Sequence, residues 1–326
     1  MPLIARGTRS PALTAAAAVA TLGAAAAVWG VGIERYLYTV RRATVPILAP
    51  GSEPIRVLHI SDVHMAPWQR RKQAWIASLT TLKPDLIVNT GDNLGHAEGL
   101  RGIRAAFAGF RGIPGVFVHG SNDHAAPSPR NPFLYFMGPS DKHGTSEPLD
   151  TEALDTFLSS TLGWQNVNNA SASVEVRGHR VDMFGVSDAH REWDRLDVLP
   201  GMVEDLRQGE VDLNGDELAA DGGDRHPLTL GVTHAPYRRV LDAFTGLGAD
   251  MIFAGHTHGG QVRIPGFGAL VANCDIPLKQ SRGLSSWTHG HTIPLNVSAG
   301  LGHSIYAPVR FACAPEASLL TLTPRA

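Results

Sequence analysis

The sequence predicts an α/β layered fold, and three observations carry that reading. From residue 55 onward, short apolar runs alternate with helical patterns. Several of the runs end in clusters of Asp, His, Asn and Gly, the residues found where strands deliver ligands. A hydrophobic share of 43% over 326 residues supports a substantial core.

Residues 55–60 (IRVLHI) read as a buried strand, followed by a basic amphipathic helix over 70–82. Strands at 85–89 and 115–119 flank a helix over 100–110, giving β-α-β-α-β. Residues 125–148, rich in Pro, Gly, Ser and Asn, suggest an excursion over the surface that could act as a lid. Strands resume at 172–176 and 180–186. Residues 208–224 are acidic and Gly-rich and read as a solvated loop; the DLNGDE stretch inside it lacks the spacing of a calcium loop. Strands at 228–232, 251–254, 295–298 and 318–322 complete the set, and no internal repeat is visible.

The first fifty residues stand apart. No charged residue lies between Arg9 and Glu34, so residues 11–33 are long enough to span a bilayer, although Ala supplies much of their bulk. Trp29, Tyr36 and Tyr38 gather at one end as an interfacial belt would. The expected organisation is a basic tail over 1–10, a transmembrane or signal-anchor helix over 11–33, a Pro-containing linker over 34–54 and a domain over 55–326. A cleaved signal peptide is the competing reading, given Arg6, Arg9 and small-x-small sites such as Ala18-Val19-Ala20. Arginines flank both ends, so the positive-inside rule does not orient the segment. The expectation is a single-pass anchor with an extracytoplasmic domain.

Composition excludes some partners. A formal charge of -2 and the lack of a Lys/Arg stripe interleaved with aromatics argue against nucleic acid. The two cysteines, Cys274 and Cys313, lack any C-x-x-C spacing, which excludes zinc-finger chemistry and leaves one disulfide or two thiols open.

Five polar clusters follow strands in order: Ser61-Asp62-Val63-His64, Gly91-Asp92-Asn93, Ser121-Asn122-Asp123-His124, His234-Ala235-Pro236 and Gly255-His256-Thr257-His258-Gly259-Gly260. Singly, each has a plain structural reading: Asp62 as a helix cap, Asp92 in a turn, a lone histidine in a core. Together, in this order, they describe a mixed oxygen and nitrogen site for Mn, Fe or Zn. Two divalent or trivalent ions need about seven to eight ligand bonds; Asp62, His64, Asp92, Asn122, His234, His256 and His258 supply them, with Asp92 the natural bridge that serves both. Asp188 and His190, after the strand ending at Val186, are candidates to line a substrate pocket.

The order D-x-H, G-D-N, G-x-N-D, T-H and G-H-T-H-G-G resembles the calcineurin-like metallophosphoesterases, and more closely their membrane-associated bacterial branch. The resemblance covers residues 55–322. It implies a four-layer α/β/β/α sandwich in which Asp62, His64 and His258 hold one metal, Asn122, His234 and His256 the other, and Asp92 bridges. It also implies hydrolysis of a phosphoester through a hydroxide held between the metals. The tether, which brings the site to lipids and envelope precursors, points to a phosphodiesterase or pyrophosphatase acting on a lipid-linked or envelope phosphoester, and a monomer is expected. One departure stands out: the family's G-N-H-[DE] motif is here G-S-N-D-H, with Asp123 where the assisting histidine belongs. The leaving-group proton therefore falls to His124, Asp123 or a water. The altered motif also motivates an alternative, a membrane-anchored phosphate-binding protein with a degenerate, weakly active site. The H-x-H-x-D-H run of β-lactamase-like hydrolases is absent.

Overall fold

Residues 10–128, 147–213, 227–303 and 305–325 are described by the computed structural model. In chain order they form α1 (Pro11–Val28), β1 (Thr39–Leu48), β2 (Ile55–Ile60), α2 (Arg70–Ser78), β3 (Leu86–Asn89), α3 (Gly99–Phe107) and β4 (Gly115–Phe117). Next come α4 (Thr151–Asp155), β5 (Gln165–Asn166), β6 (Ala170–Val176), β7 (His179–Gly185), α5 (Leu199–Leu213), β8 (Leu228–Val232) and α6 (Arg238–Gly246). The chain ends with β9 (Met251–Ala254), β10 (Arg263–Ile264), β11 (Gly268–Ala269), β12 (Gly283–His289), β13 (His291–Val297) and β14 (Glu316–Pro324).

Two six-stranded sheets stack face to face. The first has the order β1-β14-β2-β3-β4-β5 and the second β12-β13-β9-β8-β7-β6; β10 and β11 form a separate hairpin. In each sheet four strands run parallel, β2 to β5 in the first and β7, β8, β9 and β13 in the second. Alternation along β2 shows why four layers result: Ile55 and Val57 point between the sheets, whereas Leu58 and Ile60 point to the helices. Val57, Val88 and Val116 meet Met183, Val232 and Phe253 across the sandwich. Outside, Ile76 of α2 and Ile103 and Phe107 of α3 cover the first sheet, and Val240, Leu241 and Phe244 of α6 cover the second. The expected α/β/β/α sandwich is the fold.

α1 begins under a Ser10 cap, whose Oγ accepts from the Leu13 N–H at 3.2 Å, with Pro11 in the first turn. None of its residues is buried, and with its continuation it makes a 26-residue apolar helix, Pro11–Tyr36, long enough to cross a membrane. Its far end docks on the body. Glu34 accepts from the backbone N–H groups of Ala312 (2.9 Å) and Cys313 (2.6 Å), and Arg310 N–H donates to Gly30 O at 3.1 Å. A Cβ on Gly30 would lie 2.9 Å from Arg310 O, so this close approach needs glycine.

Several expectations are corrected. Thr39–Leu48 is no linker: β1 pairs in parallel with β14, and Val45, Ile47 and Leu48 enter the core between the sheets. Pro46 within the strand, with Pro50 and Pro54 just beyond it, hid a pattern that a sheet-edge position tolerates. β12 carried no clear apolar run because only Gly283, Ser285 and Trp287 among its residues turn inward to any degree, and it pairs with β13 as a hairpin. Residues 208–213 continue α5 and are not loop, while 214–226 lie outside the described residues. Of the lid expected over 125–148, residues 129–146 lie outside the described residues; the flanks meet in an Ala125–Pro148 bridge. The N-terminal tail through residue 9 lies outside them too. Cys274 and Cys313 are both free thiols, and burial pushes Cys274 up to about 12.

Candidate metal centre

The five clusters converge at the carboxyl ends of β2, β3 and β4 of one sheet and β8 and β9 of the other. The backbone after each strand turns sharply. Asp62 (φ 48°), His64 (φ 42°), Asp92 (φ 53°), His256 (φ 67°) and His258 (φ 49°) all adopt the left-handed conformation. Each such residue costs on the order of 1–3 kcal/mol, and clustering of this kind is typical of functional sites. The packing around these turns is close. A Cβ on Gly255 would collide with Ser61 Oγ and come within 2.6 Å of Asp62 Oδ2, and one on Gly120 would collide with Asp92 Oδ1.

The side chains then meet. His64 Nε2 and His258 Nε2 are 3.2 Å apart, and His258 Nε2 is 3.7 Å from Asp62 Oδ1. Asp92 Oδ2 is 3.5 Å from His64 Nε2 and 3.5 Å from His234 Nε2, which places it midway between the two histidines expected on different ions. His256 Nδ1 lies 3.3 Å from His234 Nε2. The ligand atoms of Asp62, His64 and His258 lie within 4.8 Å of one another, as do those of Asp62, Asp92 and His234. Asp62 therefore reaches toward both groups, a sharing the sequence reading had given to Asp92 alone.

Hydrogen bonds orient several of these side chains. His234 Nδ1 faces Thr90 O at 2.7 Å and His256 Nε2 faces Asn273 O at 3.1 Å. Since a carbonyl only accepts, His234 is left with Nε2 and His256 with Nδ1 turned to the centre. Asp62 ends a buried relay: Asn296 Nδ2 to His59 Nδ1 (2.8 Å), His59 Nε2 to Thr90 Oγ1 (2.9 Å), Thr90 Oγ1 to Ser61 Oγ (2.6 Å) and Ser61 Oγ to Asp62 Oδ2 (2.5 Å). Burial pushes His59 down to about 3, so the ring stays neutral and can accept on one side while it donates on the other. Asn122 contacts Asp92 twice, backbone N–H to Oδ1 at 2.9 Å and Nδ2 to Oδ2 at 2.8 Å. Its amide thus sits in the centre, and half a turn about the terminal torsion exchanges nitrogen for oxygen.

The electrostatics ask for positive charge. Burial pushes the carboxyls of both Asp62 and Asp92 above the usual range, with His234 pulling back. Burial also pushes His64 down to about 4 and His258 well below its ordinary value, so two neutral rings face each other; His64 Nδ1 is buried with no hydrogen-bond partner. Burial would lower His234 as well, but the carboxylates of Asp92, Asp188 and Asp62 outweigh it and hold this ring up to about 9. Unprotonated imidazoles and carboxylates at this spacing fit hard or borderline metal ions, which would take the place of that single proton.

The remaining candidates separate. Asp123 is fully buried, and its carboxylate accepts from the backbone N–H groups of Asn93 (2.7 Å), Leu94 (2.9 Å) and Gly120 (3.2 Å). Burial raises it, but His119 and these donors win and hold it below the usual range, which removes it as a proton donor. His124 is half-buried, edge-on to Trp193, with Nδ1 3.3 Å from Thr151 Oγ1. Asp188 is buried and braces the site, accepting from Ser121 N–H and His190 N–H at 2.9 Å each. The His190 ring lies 4.5 Å from that of His256 and 2.9 Å from Tyr237 O–H.

Sequence reasoning missed His119, His59, Thr90 and Arg310. His119 bridges Asp123 Oδ2 (3.4 Å) and Asp155 Oδ1 (2.7 Å); burial opposes its charge, but the two carboxylates prevail and raise it to about 9. Arg310 is fully buried, 3.3 Å from His258 Nδ1, and donates to Ala299 O at 2.7 Å. His119 carried a weak signal, a histidine ending an apolar strand; Arg310 lies in a loop and carried none.

A doubled sheet with a two-lobed cluster of Asp, His and Asn at its strand ends defines an α/β/β/α protein with a candidate metal site. The profile of the calcineurin-like phosphoesterases matches residues 55–260, and the chain belongs to that family. It is similar to "Uncharacterized metallophosphoesterase YkuE" of Bacillus subtilis, at 22% identity over 92% of each chain. It is also similar to the bovine (Bos taurus) "Transmembrane protein with metallophosphoesterase domain", at 26% identity over 68% of this chain but only 45% of that one. Among solved structures it aligns with calcineurin-like phosphoesterase YfkN of Bacillus subtilis at 11% identity and TM-score 0.35, over 82% of this chain and 90% of that one.

Proposed function

We propose that the chain is a membrane-tethered, dinuclear-metal phosphoester hydrolase acting on a phosphodiester or pyrophosphate at the membrane surface. The observation that carries this is the position of Asp92 Oδ2, 3.5 Å from each of two histidine nitrogens contributed by opposite sheets. Asp62, His64 and His258 would hold one ion, Asn122, His234 and His256 the other, and Asp92 both. Bound ions would supply an activated water at neutral pH and neutralise phosphoryl charge. Asn122 binds without adding charge, so two carboxylates leave a pair of divalent ions net cationic and able to receive an anion. His124, beside Asn122, partly exposed and not consumed by an ion pair, is the donor to the leaving oxygen. Its burial, with His119 nearby, keeps it below the ordinary histidine value and so neutral at rest, and the proton it would pass to the leaving oxygen is the one given up by the attacking water.

The tether supports a lipid-linked or envelope substrate on geometric grounds, since α1 confines the site to the membrane surface. Metal analysis of the purified protein, beside hydrolysis of bis-p-nitrophenyl phosphate with added Mn, tests the reading. A protein that holds no metal and does not distinguish wild type from Asp92→Asn would sink it. Metal with phosphate binding but no turnover would favour the binding-protein alternative.

A further inference from the structure

Where α1 meets the body, a second concavity has a chemistry unlike the metal centre. A cavity of ~330 Å³ is walled by residues that follow α1, by residues 68–72 at the start of α2, and by the loop after β13. That volume suits one small ligand. Arg35, Arg70, Arg71 and Lys72 line it, and among the described residues no carboxylate does. Arg70 and Arg71 are exposed and take part in no ion pair among the described residues. Arg35 stacks on the Tyr36 ring at 4.5 Å, and its Nε is buried with no hydrogen-bond partner. Burial, with Arg310 and Arg35 nearby, pushes Lys72 down to about 7, so the dependable charges are the three guanidinium groups, which repel one another unless an anion joins them.

Two further facts say which anion. The cavity opens beside the last residues of the membrane-crossing helix, and Trp68, 60% exposed, stands at its rim with Trp29 of the same helix end 43% exposed. Tryptophans beside arginines at a helix end mark the level of lipid headgroups. The cavity is also separate from the metal centre while touching its back: Lys72 Nζ donates to Val63 O at 2.7 Å, and Val63 lies between Asp62 and His64.

We infer that this cavity binds the phosphate-bearing headgroup of an anionic membrane lipid, apart from the hydrolytic centre, and so seats the catalytic body on the bilayer that α1 enters. The inference rests on the tethered reading of α1, and the two can fail separately. The full metal-loaded chain in detergent is titrated with dihexanoyl phosphatidylglycerol, dihexanoyl phosphatidylcholine or inorganic phosphate, followed by tryptophan fluorescence. Wild type is compared with R70Q/R71Q, so that anion bound at the metal centre cancels; melting temperatures check that the exposed substitutions leave the fold intact. The expected result is saturable binding of the glycerol lipid that weakens about thirtyfold in the variant, the weight of two basic side chains near an anionic surface. The choline lipid should show no such difference. Equal behaviour of the two lipids, or an unchanged variant, overturns the inference. Inorganic phosphate binding as tightly as the lipid, with the same loss in the variant, overturns the lipid as its source. Release of the chain from membranes by alkaline carbonate would instead overturn the tether, whatever the titrations show.

Discussion

The two sheets bring different chemistry to one centre. The first supplies oxygens, from Asp62, Asp92 and Asn122, with His64 as its one nitrogen donor; the second supplies only imidazoles, from His234, His256 and His258. The carboxylates are set by donors aimed at them, the Ser61 hydroxyl and His256 N–H on Asp62 and the Asn122 groups on Asp92. His234 and His256 are set the other way round, by carbonyls that accept from them. One half thus depends on buried charge being satisfied and the other on tautomers being chosen. Changes to the first should act through metal retention, and changes to the second through geometry.

The strongest break in that comparison is Asp92→Asn, which keeps the shape and removes the shared charge. Hydrolysis should fall by about three orders of magnitude, with metal content measured by elemental analysis falling in parallel. Retained metal with lost activity would show that Asp92 serves chemistry and not retention.

His119 is the next lever, and it acts on stability. Its folded value of about 9 stands above the ordinary 6.5, so its contribution is fully present below pH 6.5 and is lost as pH rises through 9. A shift of that size corresponds to about 3 kcal/mol. Urea denaturation of wild type and His119→Gln should therefore differ most near pH 6 and converge by about pH 10. A constant gap would place the role of His119 in packing and not in its charge.

Gly255→Ala probes the contact between the halves, because the new methyl would press on Ser61 and Asp62. Overpacking of this kind costs about 1–3 kcal/mol, and the melting temperature should drop together with metal content. Thr90→Val is the mildest change: it cuts the relay from His59 to Asp62 without altering volume much. Metal affinity should fall about tenfold with the fold intact. No change in affinity would mean that the Ser61 hydroxyl and the His256 N–H orient Asp62 without the relay.

Much of this was legible in the residues. Clusters such as Asp62-Val63-His64 and His256-Thr257-His258 sit next to apolar runs, and the local pattern is enough to place them at strand ends. The second sheet was read nearly as well, since β8 and β9 are short, continuous and fully buried. What escaped depended on distance along the chain. β1 pairs with β14, which lies more than 250 residues further on in register from Thr39–Glu316, and no local period reveals such a partner. Asp123 looked like a proton donor because its sequence position matched one; only the folded environment shows its oxygens already occupied.

By itself, the sequence determined the layered α/β class, the apolar N-terminal helix and the candidate ligands, because hydrophobic period and strand-end chemistry are local properties. The tertiary structure alone decided that Asp62 as well as Asp92 lies between the two groups of donors, that His119 and Arg310 brace the site, and that the N-terminal apolar helix docks through Glu34 on the loop carrying Arg310. Those facts arise from buried charges finding partners across the two sheets, where the energy depends on distance in space and not on position in the chain.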